Sequence, residues 1–207
     1  INSLLSLQGR KLSDKAAIAV LDDARARINA LSLIHRSLYE HNDITTVQTK
    51  SFLTDLANHL DQALGAEDRG IKIESAIEDD RLEADLAVPL ALFTAEAVTN
   101  SVKHAFPVHA AGTVATSRAW RVCVSYKVTG NEAILSVEDN GVGSEDRTLE
   151  KSTGIGGTLM AAFAKQVRGK LEEQTVPQGG RVVQIRMPRT PAPPPPVDAE
   201  NTPVSTG

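Results

Sequence analysis

Three short segments, met in one order, constrain this chain more than any other feature. The first, Glu96-Ala97-Val98-Thr99-Asn100-Ser101-Val102-Lys103-His104, sets a carboxylate and a carboxamide four residues apart, which on a helix puts both on one face. The second, Asp139-Asn140-Gly141-Val142-Gly143, follows an alternating apolar run and places a carboxylate beside backbone that lacks Cβ atoms. The third, Gly154-Ile155-Gly156-Gly157, stands before an apolar helical pattern, where free N–H groups and the helix dipole attract anions. Each has an ordinary reading by itself: a solvated helix face, an Asx turn, a glycine turn. In this order, with strand and helix signals between them, they describe one pocket.

Composition narrows what that pocket serves. The 207 residues suffice for one large or two small domains, and a hydrophobic fraction of 41% allows a proper core. Aromatic residues make up only 3%, so that core has to be built from Leu, Val, Ile and Ala. A formal charge of -4, with Lys and Arg scattered along the chain, argues against a nucleic-acid partner. Cys123 is the sole cysteine, which excludes an internal disulfide and a cysteine zinc cluster and suits a reducing, cytoplasmic setting. No apolar run reaches membrane-spanning length and no signal peptide opens the chain. The sequence starts at Ile1, inside a helical pattern of Leu4, Leu5 and Leu7. A piece of a longer protein is therefore expected, one whose parent is free to be membrane-anchored although this part contacts no membrane.

Periodicity divides the chain at residues 1–65, 66–189 and 190–207. Residues 2–12 read as the end of one helix and 14–41 as another, with Ser13 as N-cap candidate. Leu21, Ala24, Ile28, Leu31, His35 and Leu38 recur in alternating steps of three and four, a coiled-coil seam. A hairpin of this kind has too few apolar partners within one chain, and pairing two of them into a dimeric four-helix bundle buries the stripe. His35 falls in the seam and reads as a packed histidine, while His59 reads as surface. A helix over 47–64 stops at Gly65, and Ile71-Lys72-Ile73-Glu74 alternates like a strand. Pro89 fits the first turn of a helix through about Phe106. Strands are predicted near 120–128, 133–138, 170–175 and 181–187, with turns at Gly130-Asn131 and Gly179-Gly180 and a helix from about Gly157 to Val167. Residues 107–118 and 140–157 read as loops. Proline clusters after Arg189, predicting a tail with no packed structure.

The residue types in the pocket suit Mg-ATP. A carboxylate at Asp139 accepts the exocyclic amino hydrogen of adenine, whereas guanine presents an oxygen there and leaves the charge unpaired. Gly141 and Gly143 let backbone approach the base. Asn100 offers a neutral oxygen to Mg²⁺, a hard cation that takes few protein ligands. Glu96, one turn earlier, serves as general base. Lys103 and His104, one turn later, reach toward phosphate, though His104 also reads as a plain helix-end histidine. Gly154, Gly156 and Gly157 supply N–H donors to the phosphates, and the linker from Gly141 to Thr153 reads as a lid that orders over the nucleotide.

These residues carry a family resemblance. Glu96, Asn100, Lys103 and His104, then Asp139, Gly141 and Gly143, then Gly154 and Gly156, resemble the N, G1 and G2 boxes of the GHKL ATPases, which include gyrase B, Hsp90, MutL and the histidine kinases. Ser3-Leu4-Leu5-Ser6-Leu7-Gln8-Gly9-Arg10, Arg27-Ile28-Asn29-Ala30-Leu31 and Ile34-His35-Arg36-Ser37-Leu38-Tyr39 are similar to the HisKA_2 type of sensor histidine kinase. The resemblance implies an α+β architecture: a helical hairpin forming a dimeric four-helix bundle, followed by a Bergerat-type α/β sandwich that binds ATP. It further implies transfer of the γ-phosphoryl group to a histidine and onward to an aspartate of a response regulator. The phosphoacceptor is implied upstream of Ser3, since none of the five histidines matches its motif. Gly157 stands where the family usually has Leu, and Arg181 where many members have Thr. A GHKL serine kinase of the anti-sigma type and a degenerate kinase acting as a dimeric docking scaffold are the alternative readings.

Overall fold

The computed structural model describes Ile28, Ser32 and residues 45–106, 119–142, 155–177 and 179–189. In chain order the elements are strand β1 (Thr46–Gln48), helix α1 (Thr49–Leu64), strands β2 (Ile71–Ile77) and β3 (Arg81–Glu83), helix α2 (Ala84–His104), strands β4 (Trp120–Thr129) and β5 (Glu132–Asp139), helix α3 (Ile155–Gln166), and strands β6 (Lys170–Thr175) and β7 (Arg181–Pro188). Five strands form one sheet in the order β2-β4-β5-β7-β6, while β1 and β3 pair separately. Only β2 and β4 run parallel in the large sheet; its other pairings are antiparallel.

Alternation in the strands decides which face is covered. Trp120, Val122, Val124 and Tyr126 of β4 are buried, as are Ala133, Leu135 and Val137 of β5 and Val183, Ile185 and Met187 of β7. Side chains two apart share a sheet face, so these rows form one apolar floor. The helices lie on it. α2 contributes Leu90, Phe93, Val98 and Val102, each at most 1% exposed, and burying a side chain of this size stabilises by about 1.5–3 kcal/mol. α3 packs against α2, and α1 against β2 and α2. The product is a two-layer α/β sandwich, helices on one face and the polar side chains of the strands on the other. Asp139 belongs to the inward row of β5, at its end. Thus the strand pattern that builds the core also delivers one carboxylate to the helix layer.

Several boundaries differ from the sequence reading. α1 starts at Thr49, because Thr46–Gln48 pairs as a strand with β3. Short strands of three residues lie below the length at which alternation can be read. α2 begins at Ala84, so Pro89 is inside the helix rather than in its first turn. The missing N–H of Pro89 leaves the carbonyl four residues earlier without its helical donor; Pro89 is itself buried in the core, and that packing holds it. α3 begins at Ile155, so Gly156 and Gly157 are its opening residues rather than its approach. Other expectations hold closely: Gly65 terminates α1 at φ 56°, and Gly130 sits at φ 59° between β4 and β5, a left-handed conformation that costs glycine little. His59 is exposed, as expected.

The hairpin lies outside the described residues except at Ile28 and Ser32, both helical, with Ser32 Oγ donating to the Ile28 carbonyl at 2.9 Å. The 107–118 loop, the lid after Val142 and the proline-rich tail also lie outside them.

Candidate nucleotide site

Helix α2, the end of β5 and the start of α3 converge at one place. On α2, Glu96 is buried and Asn100 half-buried one turn later, with Asn100 Nδ2 donating to Glu96 Oε1 at 3.4 Å. The pair that shares a face by sequence spacing is therefore in contact. Gly156 of α3 abuts both: a Cβ there would lie 2.2 Å from Glu96 Oε1 and 3.6 Å from Asn100 Nδ2. With Glu96 in this conformation, only a residue without a side chain lets α3 enter so close to the carboxylate. Gly156 and Gly157 lie in the first turn of α3, whose N–H groups have no partner within the helix. The N-terminal end of α3 thus presents donors beside the Glu96–Asn100 pair.

Asp139 is 4% exposed. Ser101 Oγ donates to its Oδ2 at 3.1 Å and the Gly141 N–H donates to its Oδ1 at 3.0 Å. The second contact is an Asx turn, so the ordinary reading of this motif is realised together with a buried carboxylate. Burial pushes the Asp139 carboxyl above its ordinary range, opposed by the Gly141 N–H, the Ser101 hydroxyl and the charge of Arg181. An ionised carboxylate has about four acceptor positions, so the Ser101 hydroxyl and the Gly141 N–H, with the Arg181 backbone N–H also turned to it, leave acceptor capacity for a ligand amino group.

Gly141 has a role the sequence did not reveal. A Cβ on it would stand 2.3 Å from the Ala105 carbonyl oxygen, and the next N–H, that of Val142, donates to this oxygen at 3.0 Å. The chain leaving β5 is thereby stitched to the C-terminal end of α2. Gly180 acts likewise, since a Cβ there would lie 2.1 Å from the Asp139 carbonyl oxygen. Asn140 bridges back to the start of β4: its Oδ1 accepts from the Arg121 N–H at 2.7 Å and its Nδ2 donates to the Ala119 carbonyl at 2.8 Å. Phe106 and Trp120 pack tilted, with centroids 5.3 Å apart, closing the apolar ground between α2 and β4.

Lys103 is half-buried and His104 exposed, both in the last turn of α2. That position also complements the helix dipole. Gly143 and Gly154 lie outside the described residues. Ser101, Ala105, Asn140, Gly180 and Arg181 were not singled out as site residues from the sequence. Ser101 follows Asn100 directly, yet its hydroxyl looks ordinary until β5 is known to pass beside α2.

Among the described residues no three His, Cys, Asp or Glu side chains cluster as a metal cage. The donor chemistry fits Mg²⁺ nonetheless. Asn100 spends its amide hydrogen on Glu96, which leaves its carboxamide oxygen as acceptor, and Mg²⁺ usually keeps waters and substrate oxygens with one or two protein ligands.

A family model described as "Histidine kinase-, DNA gyrase B-, and HSP90-like ATPase" matches residues 86–191, which hold every site residue named above. The chain belongs to this ATPase family. A second model, HisKA_2, described as "Histidine kinase", matches residues 1–64. The two matches together give the domain order of a histidine kinase core, a HisKA_2 segment ahead of an ATPase domain. No curated protein matches the sequence. Among solved structures, the fold is similar to the histidine kinase domain of the Erythrobacter litoralis EL346 blue-light activated histidine kinase, at 18% identity and TM-score 0.67, covering 90% of this chain and 91% of that one. Against the fuller EL346 structure the identity is 20% and the TM-score 0.63, with 79% of this chain and 52% of that one covered. This histidine kinase core therefore spans about half the length of that relative. The ATP-binding domain of PrrB from Mycobacterium tuberculosis is also similar, at 19% identity and TM-score 0.52, covering 70% of this chain and 97% of that one. No helix among the described residues is long and apolar enough to cross a membrane.

Proposed function

We propose that residues 66–189 bind Mg-ATP and transfer its γ-phosphoryl group to a histidine, which passes it to an aspartate on a response regulator. The carrying observation is the convergence of Glu96, Asn100 and Gly156 beside buried, hydrogen-bonded Asp139. In this reading Asp139 accepts from the adenine amino group, and Gly141 lets backbone pass close to the base. Gly143, Gly154, Gly156 and Gly157 present backbone donors to the phosphates, joined by Lys103 and His104. Asn100 ligates Mg²⁺, which would neutralise charge on the phosphate oxygens when bound. Glu96 accepts the proton of the attacking imidazole or orients it.

Residues 1–65 supply the dimerising hairpin, and 190–207 a tail outside the catalytic unit. The reading places the core in the cytoplasm, where ATP and response regulators are found, whatever anchors the parent protein. The test is phosphotransfer from γ-labelled ATP in an N-terminally extended chain. Acid-labile, base-stable label on histidine is expected. Acid-stable label on a serine of a partner protein would overturn the histidine assignment in favour of the serine-kinase reading.

A further inference from the structure

Asp139 has two cross-strand neighbours. On β4 it faces Val122 and on β7 it faces Arg181. Arg181 precedes Val183, Ile185 and Met187, the inward row of β7, so its side chain leaves the sheet on the same face as Asp139. Directly opposed residues on one face of an antiparallel pair have Cβ atoms about 4.5–5.5 Å apart. Asp139 therefore has an apolar neighbour on one side and an arginine on the other, whose positive charge acts on it through space.

Arg181 is itself restrained. Its Nε pairs with Oε1 of Glu173 on β6, and the side chains are 21% and 7% exposed. Glu173 opposes Val183, two residues along from the Thr175–Arg181 pair, a diagonal that long side chains span. Arg181 thus stands between two carboxylates: Glu173, which pairs with it, and Asp139, whose lone pairs are needed for a ligand.

We propose that Arg181, anchored by Glu173, is a specificity-determining residue of the nucleotide site, holding Asp139 as an all-acceptor carboxylate that prefers adenine to guanine. The proposal rests on Asp139 reading the base, as set out above. Protonation would convert one Asp139 oxygen into a donor. A donor there no longer suits the adenine amino group and does suit the guanine oxygen. A cation directly across the strand opposes that protonation, against the upward push of burial.

Other charged groups surround Asp139 less directly. Glu96, Lys103 and His104 sit on α2 and Lys165 on α3, whereas Arg121, Cys123 and Lys127 of β4, Glu132 and Glu138 of β5 and Arg186 of β7 alternate onto the opposite sheet face. All of them are retained in the variants below, so their titration is common to every profile.

The experiment measures Mg-ATP and Mg-GTP affinity from neutral to acidic pH for the whole chain and its Arg181→Gln, Arg181→Lys and Glu173→Gln variants. Acid weakens ATP binding as Asp139 takes a proton. Arg181→Gln should move that loss upward, on the order of one pH unit, and narrow the ATP-over-GTP preference. Arg181→Lys keeps the charge and should restore the unmodified profile. Glu173→Gln removes the competing carboxylate and should move the loss downward. Profiles that coincide in all four proteins would overturn the proposal. So would a uniform loss of affinity at every pH in Arg181→Gln that Arg181→Lys shares. An Asp139→Ala chain that still selects ATP would instead overturn the underlying assignment of the base-reading residue.

Discussion

Gly156 and Glu96 are so close that a single added methyl group at Gly156 would lie 2.2 Å from Glu96 Oε1. The contact joins the first turn of α3 to Glu96, the residue that opens the carboxylate and amide face of α2, and it fixes where the donors of α3 stand. The obstructed atom is the far end of a flexible side chain, so Glu96 can yield without the helices separating. Gly156→Ala also gains about 1 kcal/mol of helix propensity. The variant is expected to fold with a near-unchanged melting temperature while phosphotransfer falls roughly 100-fold, the scale of a displaced general base. A melting curve beside a single-turnover assay checks both halves.

Gly141→Ala should behave differently. Its added Cβ meets the Ala105 carbonyl, which is backbone and cannot rotate away. Overpacking of this kind costs about 1–3 kcal/mol. The denaturant midpoint should fall, and ATP affinity should fall with it, because Gly141 also donates to Asp139.

Ser101→Ala removes the side-chain donor to the Asp139 carboxylate. A hydrogen bond to a charged group contributes about 1.5–3 kcal/mol. ATP affinity is expected to drop by roughly 10-fold or more, with adenine selectivity weakened. Isothermal titration with ATP and GTP reads the effect directly; unchanged affinity would reduce Ser101 to a packing residue.

Much of this site was legible because its chemistry rides on local pattern. Glu96 and Asn100 meet through helical spacing, and Asp139 turns inward because it continues the period-two row of Leu135 and Val137. The N-terminal boundary of α2 was misread because proline is a strong local signal, yet Pro89 is held inside the helix by tertiary burial. Strands β1 and β3 escaped notice because three residues carry no readable period. Ser101, Gly180 and Arg181 could not be assigned roles from sequence, since each acts on Asp139 across a strand or helix boundary whose register only the fold supplies.

A second prediction on stability concerns the opposite end of the sheet. Arg189 donates to both oxygens of Asp80, at 2.8 and 3.1 Å, and Tyr126 Oη donates to Oδ2 at 3.2 Å. Burial pushes the Asp80 carboxyl up, but Arg189, the Arg81 backbone N–H and Tyr126 together outweigh it and the net displacement is downward. A carboxylate lowered in the folded state stabilises above its ordinary pKa, and the contribution is lost as pH falls through the lowered value. Tyr126→Phe should cost about 1 kcal/mol at neutral pH. Arg189→Gln should also destabilise at neutral pH, and its deficit should shrink in acid. Denaturation midpoints across the acid range test the sign: a deficit that grows on acidification would contradict the assignment.

The most direct test of the account is a titration of the chain with Mg-ATP and Mg-GTP beside its Asp139→Ala variant. The account predicts ATP-selective binding that the variant loses while remaining folded. ATP binding of equal strength in the variant would contradict the central claim that the buried carboxylate at the end of β5 reads the nucleotide base.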